Sequence, residues 1–485
     1  MLRKTKMKAG FFETDITPPY GMERAGSYRK ITIAKILTPL KVRAAVFDNG
    51  KTQAAFAGID ACMIDSAACD DACEIVEKTC GIPRKNIMIA ASHTHSGGAV
   101  NSLSDFSLNK ETTPPDIYDL AVNKSAQPDP HFRDIVIKQL ASAIIWAYEN
   151  AEEALINFGS SSESRYVFNR RFRMKDGRTC THPGKMNPEI VCPAGPIDPE
   201  VGVLGAWRKN GSLLGCVVNY ACHGTVISSG TASADWIHYM QCAVKKIMGE
   251  NSVAVFLNGA SGDVTQVNNL SYEVSSGPEL AFKLGTRVGA EVVKVLNENE
   301  PREYNTIDTQ WKTLKIDRRP ISAETLRKNK EILNSGISED ETKWTFAKEK
   351  IVYNYAYSQK PVADVNCQAI QIGNALFVSN PSEYFCQLGL DIKEASEFKY
   401  TFVVSLANGC VGYVPTPESF KPSGGGYETI ISSYSNLEIN AGTKIAETCI
   451  NFSKNAKEET LSDPYANKIP AQKVWEYGAY PPELE

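Results

Sequence analysis

The sequence predicts an α/β fold: one large catalytic domain with mixed β-sheets flanked by helices. Three observations lead there. Short apolar, β-branched runs recur, and each gives way to a polar or glycine-containing exit. Helix-period segments lie between those runs, the alternation expected of α/β proteins. The 485 residues are 42% hydrophobic and 22% charged, enough apolar content for a substantial core, with no stretch of the roughly 18 apolar residues a membrane span needs.

Taken in order, a helix is expected over 65–80, stopped by Gly81. The first buried strand and exit follow in IMIAASHTHSGG (87–98). Helices are expected over 130–150, 237–249, 278–297 and 323–357. Between and after them come LLGCVVNYACHGT (213–225), SVAVFLNGASGDV (252–264), NALFVSNPSEYF (374–385) and YTFVVSLANGCVGYVPT (400–416). The stretches 107–130 and 169–200 read as surface loops, and DITPP from Asp15 as a rigid turn. Residues 1–455 are expected to form the domain and 456–485 a surface tail. In α/β sheets ligands gather beyond the carboxyl ends of strands, and all five exits carry residues able to do chemistry.

A formal charge of −4 with scattered basic residues gives no footprint for nucleic acid. Thirteen cysteines without a CxxC pair, and an N-terminus lacking an apolar run of signal-peptide length, point to a reducing compartment, hence the cytoplasm. Cys69 and Cys73 share a helix face and read as core thiols. A homo-oligomer is left open.

His93 and His95 are two of only six histidines. In extended backbone, residues i and i+2 project to the same side. His223 holds an equivalent strand exit, and zinc sites draw on His, Cys and carboxylates. Glu383 could complete such a site, or could be the acid of a helix N-terminus capped by Ser382. Tyr413 beside its turn reads as packing. The NGASGD turn, ending in Asp263 with Thr265 beyond, either lets backbone approach a ligand or is a plain strand-to-helix turn. Arg170 in FNRR can meet a carbonyl or carboxylate, or lie solvated in a loop. His182, between Cys180 and Cys192, resembles a metal knuckle only loosely. HExxH, GxSxG, Walker A and GxGxxG are all absent from the sequence, which removes common protease, α/β-hydrolase and nucleotide-binding readings.

In order, DITPP, ASHTHSGG, FNRR, NYACHGT, SADW, NGASGDV, NPSEYF and GYVPT with GGYE resemble the neutral/alkaline, non-lysosomal ceramidase family over roughly the first 450 residues. The resemblance implies a zinc amidase that cleaves a small-molecule or lipid N-acyl substrate with metal-activated water. It implies His93, His223, Glu383 and Tyr413 as Zn2+ ligands. It implies catalytic roles for His95, Arg170, Asp263 and Thr265, and substrate contacts from Asn258 and Tyr427. The chain departs from the pattern at Thr265, where the family has serine, at Gln266 and Val267, which interrupt a Pro-Asn pair, and at Ser382, which replaces glycine. The signal sequence and C-terminal sandwich domain of secreted members are not expected. Two other readings stay open: a hydrolase of a small polar N-acyl or lactone substrate, and a non-catalytic, metal-containing binding protein.

Overall fold

Buried apolar runs pair into three larger sheets in the computed structural model, which describes residues 6–27, 29–101, 108–337, 340–462 and 473–485. The first sheet orders Ile87–Ala91, Gln53–Ile59, Lys41–Asp48, Lys8–Asp15 and Glu152–Glu153. The second orders Val253–Asn258, Leu213–Tyr220, Glu200–Trp207 and Leu155–Ser162. The third orders Ile307–Asp317, Val362–Ile372, Ala375–Ser379 and Tyr400–Val404. Each is mixed, with one parallel pair among antiparallel ones. The α/β class with mixed sheets is therefore as expected.

Helices back one face of each sheet. Ser66–Cys80 and Pro130–Glu149 cover the first, Asp235–Met248 and Pro278–Glu298 the second, and Cys386–Ala395 and Ala441–Asn455 the third. The opposite faces meet in a central core that includes Phe47, Phe56, Val217, Leu257, Phe377 and Phe402. Phe377 joins two sheets there, its ring centroid 4.8 Å from Phe56 and 5.0 Å from Phe402. Gly58 permits the close approach of the first two sheets, since a Cβ there would fall 2.3 Å from the Phe256 carbonyl oxygen.

Local chemistry sets the boundaries. Asp65 caps the helix Ser66–Cys80 by accepting from the Ala68 N–H, and Gly81 ends it at φ 76°. The helix expected over 323–357 is instead two, Ala323–Ser335 and Glu341–Gln359. Gly336 at φ 87° stops the first and Asp340 caps the second. The expected loop 169–200 contains a small sheet of Thr179–Thr181, Arg171–Met174 and Ile190–Pro193. Arginines on its buried face and exposed apolar residues such as Val191 hide the strand period. The expected loop 107–130 carries a helical turn at Pro115–Tyr118, while residue 107 lies outside the described residues, as do 463–472 of the expected tail. Cys69 and Cys73 are buried in the first core, and burial pushes the Cys73 thiol up to about 12. No helix among the described residues is long and apolar enough to cross a membrane.

Candidate metal centre

Each of the three sheets delivers one ligating side chain to the same point. His93 follows Ile87–Ala91, His223 follows Leu213–Tyr220, and Glu383 follows Ala375–Ser379. Backbone bonds lace these exits together. His95 N donates to Gly224 O (2.9 Å), His223 N to Val264 O (3.2 Å), Gly262 N to Tyr384 O (2.8 Å) and Glu383 N to Gly412 O (2.9 Å). Gly262 is required by this approach: a Cβ would lie 2.4 Å from the Glu383 carbonyl oxygen. In the paired strands Glu383–Tyr384 and Tyr413–Val414, Glu383 stands opposite Tyr413.

His93 and His95 do come together, but not through extended backbone. The strand stops at Ala91, and His93 sits at φ 63°, in the left-handed region that non-glycine residues rarely adopt. Ring centroids lie 4.7 Å apart for His93 and His95, and 4.5 Å apart for His93 and His223. Glu383 is not a helix-terminal acid either. The next helix begins at Cys386, and Ser382 bonds Asn380 instead of capping it.

Backbone carbonyls fix how the imidazoles face. Nδ1 of His93 lies 2.7 Å from Cys62 O, that of His95 3.0 Å from Gly26 O, and that of His223 3.0 Å from Val264 O. A carbonyl only accepts, so each Nδ1 carries a proton and each Nε2 turns inward, as a bare lone pair on the neutral rings of His95 and His223 and as an N–H on His93 while no cation is bound. His93 Nε2 then lies 3.2 Å from His95 Nε2 and 3.2 Å from Glu383 Oε2, and Glu383 Oε2 lies 3.1 Å from His223 Nε2. Glu383 Oε2 is buried without a hydrogen-bond partner. These are ion-pair distances, and once the His93 proton is displaced the same atoms are a set of lone pairs that fits a metal cation. One ligating atom from each of His93, His223 and Glu383 lies within 4.8 Å of the other two.

Titration follows the same geometry. Burial disfavours the His93 imidazolium, yet the Glu383 carboxylate outweighs it and holds the His93 pKa well above the ordinary value. Burial would raise Glu383, but His93 and His223 hold it well below the carboxylate range. His223 is pushed down to about 3 by burial and then by the Arg170 guanidinium. Burial, then His93 and His223, hold His95 well below the usual histidine value. His95 is therefore held neutral, its Nε2 turned towards His93.

Arg170 is 4% exposed and spends its guanidinium on the protein. Nε donates to Glu428 (3.0 Å), Nη1 to His223 Nε2 (3.1 Å), and Nη2 to Gly262 O (2.7 Å) and the Tyr413 hydroxyl (3.1 Å). The Tyr413 and Tyr427 hydroxyls are 3.0 Å apart, and burial raises both phenols above their ordinary pKa. A cavity of about 450 Å³ opens over this floor, lined by His95, Glu383, Tyr413 and Tyr427 below, and Cys62, Met63, Tyr434 and Phe346 on the walls. Arg29 and Glu341 form an exposed ion pair at its rim. Glu428, Cys62 and Phe346 are site residues that sequence reasoning missed. Only Glu428, beside Tyr427 in GGYE, stood within a motif.

No protein-family model matches the chain. A stretch of 257 residues, 49% of the chain, is 24% identical to the neutral ceramidase of Pseudomonas aeruginosa and spans 33% of that protein's length. The crystal structure of neutral ceramidase from Pseudomonas aeruginosa superposes on 95% of this chain and 76% of its own with a TM-score of 0.69 at 18% identity. The chain is similar in fold, and over half its length in sequence, to a neutral ceramidase. A structure of ceramidase complexed with C2 gives a TM-score of 0.67 at 17% identity, over 95% of this chain and 77% of that one. The resemblance read from the short motifs is thus borne out over the fold.

Several residues to which the resemblance gave a role stand off the centre. The Asp263 carboxylate accepts from Asn169 (2.8 Å) and from the Cys386 N–H (2.8 Å), which braces loops around the site. Its carbonyl takes the Arg170 N–H (2.9 Å), so it orients that residue. Thr265 bonds Gln266 (2.8 Å) and lies 3.3 Å from the Thr225 hydroxyl, while Asn258, fully buried, donates to Ser261 (3.0 Å). Neither lines the cavity, whereas Tyr427 does. His182 Nδ1 lies 3.3 Å from Asn269 Oδ1, and no ligating trio gathers around it among the described residues.

Asp235 of SADW supports His223 from behind. It sits at φ 58° and accepts from the Ile227 (2.8 Å) and Trp236 (2.7 Å) N–H groups, and the Trp236 indole donates to His223 O (3.0 Å). Burial raises its pKa from 3.8 to about 7, against those amides. Between these values the native state holds a proton that the unfolded chain has lost. The contribution to stability is complete below 3.8 and disappears as pH rises through about 7. Urea midpoints measured from about pH 4 to pH 8 are expected to show a falling component that Asp235→Asn removes; equal pH profiles would contradict it.

Proposed function

We propose that the chain is a zinc-dependent amidohydrolase that cleaves an N-acyl amide bond. The observation that carries this is the inward convergence of imidazole Nε2 atoms and Glu383 Oε2, from three separate sheets, at the floor of a cavity. Buried lone pairs facing one another are costly without a proton or a metal cation between them. His93, His223 and Glu383 would hold zinc through Nε2, Nε2 and Oε2, with Tyr413 joining them once its phenol proton is displaced. When bound, zinc supplies Lewis acidity and lets water act as a nucleophile near neutral pH.

The chain's own groups do the rest. The carbonyls of Cys62 and Val264 fix the tautomers of His93 and His223. His95 Nε2, neutral and beside the cavity, can accept a hydrogen bond from the substrate amide N–H or from water. The Tyr427 hydroxyl can donate to a developing oxyanion, a contact whose loss in comparable sites costs about 10²–10³ in rate. Arg170, anchored on Glu428 and the Gly262 carbonyl, holds the Tyr413 hydroxyl, and it gives up its contact with His223 Nε2 when that lone pair takes zinc.

The cavity size favours one refinement. At about 450 Å³ it falls in the lower half of the small-ligand range of roughly 300–1,000 Å³. That supports a compact N-acyl substrate over one with two long chains, although the likeness to neutral ceramidases keeps ceramide as the comparison. The test is zinc content and amidase rate of His223→Ala, with a short fluorogenic N-acyl amide and a long-chain ceramide as substrates. Zinc is expected to fall together with both rates, and the short amide to be the better substrate in wild type. Unchanged zinc content would remove His223 from the proposal.

A further inference from the structure

Cys62 has no part in the chemistry above, yet its thiol lies against the His93 ring and within reach of His95. The residue is 1% exposed to bulk solvent but lines the cavity, and its Sγ lies 3.8 Å from His93 Nδ1. One ligating atom from each of Cys62, His93 and His95 lies within 4.8 Å of the other two. We infer that Cys62, His93 and His95 form a second ligand set, which binds a soft, thiophilic divalent cation such as Cd2+ and overlaps the first set through His93.

Ligand softness drives the choice. Thiolate ligands select soft ions, whereas imidazole and carboxylate suit zinc and harder ones. Binding converts Cys62 S–H to a sulfur–cadmium bond, with the proton released to solvent and no change of oxidation state. Because His93 belongs to both sets, the two modes exclude one another. The inference rests on the proposed zinc site only in that His93 Nε2 is open to a cation.

The experiment adds Cd2+ to the metal-free protein and follows the ultraviolet thiolate-to-cadmium charge-transfer band. Cys192→Ser and Cys242→Ser form the background, which removes the two exposed thiols. A band saturating at a single equivalent is expected, suppressed by excess Zn2+. It is lost in Cys62→Ser and in Cys62→Ala, but kept in Cys410→Ser, whose thiol reaches the Tyr434 hydroxyl at 3.5 Å instead. Near-ultraviolet circular dichroism confirms that each variant is folded. A band that survives both Cys62 substitutions, or one bound Cd2+ with no band, overturns the inference. The zinc reading fails separately, by normal zinc content in His223→Ala, a variant that leaves the Cys62 band in place.

Discussion

Glu383→Gln is expected to lower zinc affinity by more than the roughly 10–100-fold that losing an outer partner of a metal ligand costs, and amidase activity with it. The substitution keeps the volume and removes the only carboxylate of the proposed set. The amide also brings N–H donors to within about 3.1–3.2 Å of the Nε2 atoms of His93 and His223, if it keeps the carboxylate's place. The metal-free variant also loses the buried ion pair with His93, so it should melt lower than metal-free wild type, half of such a pair being worth about 3–5 kcal/mol. Zinc content at a temperature where both proteins are folded is therefore the measurement that separates a ligand from a merely structural glutamate. Metal analysis and thermal melts of both proteins with and without zinc check it. Full zinc stoichiometry in Glu383→Gln would remove the carboxylate from the centre.

The strand exits were legible because a strand buried on both faces must be continuously apolar, and Ile87–Ala91 and Val253–Asn258 are buried at every position. What periodicity could not show was that three exits from three sheets meet. His93, His223 and Glu383 are far apart in the chain, and Glu383 alone looks like a helix-terminal acid. Resemblance supplied the ligand set, and it also carried Asp263, Thr265 and Asn258 towards the chemistry. Their hydrogen bonds instead serve Asn169, Cys386, Gln266 and Ser261. The 169–200 segment was misread for a physical reason. Arg171 is 4% exposed because its guanidinium bonds Ser419 and the Gly425 carbonyl, so a charged residue occupies a buried strand position. The break at Gly336 was written in turn residues, but the flanking helix-forming segments masked it.

Arg170→Met should destabilise the folded protein by about 3–5 kcal/mol, because it leaves the fully buried Glu428 carboxylate without its guanidinium. Glu428 would retain the Thr181 hydroxyl at 2.7 Å and, at 3.9 Å, Arg171. The double variant Arg170→Met/Glu428→Gln should recover much of that loss, since no unpaired charge then remains, giving a coupling near the upper end of the roughly 0.5–3 kcal/mol seen for contacting residues. Activity should divide differently. Glu428 touches Arg170 and Thr181, whereas Arg170 also holds the Tyr413 hydroxyl. The double variant is therefore expected to regain stability without regaining rate, its kcat falling while KM for a short N-acyl amide changes little. Urea unfolding of the four proteins in the cycle, run beside steady-state kinetics, separates the two effects. Rate recovered along with stability would show that Arg170 matters only as the counter-charge of Glu428, and would withdraw its positioning role at the metal centre.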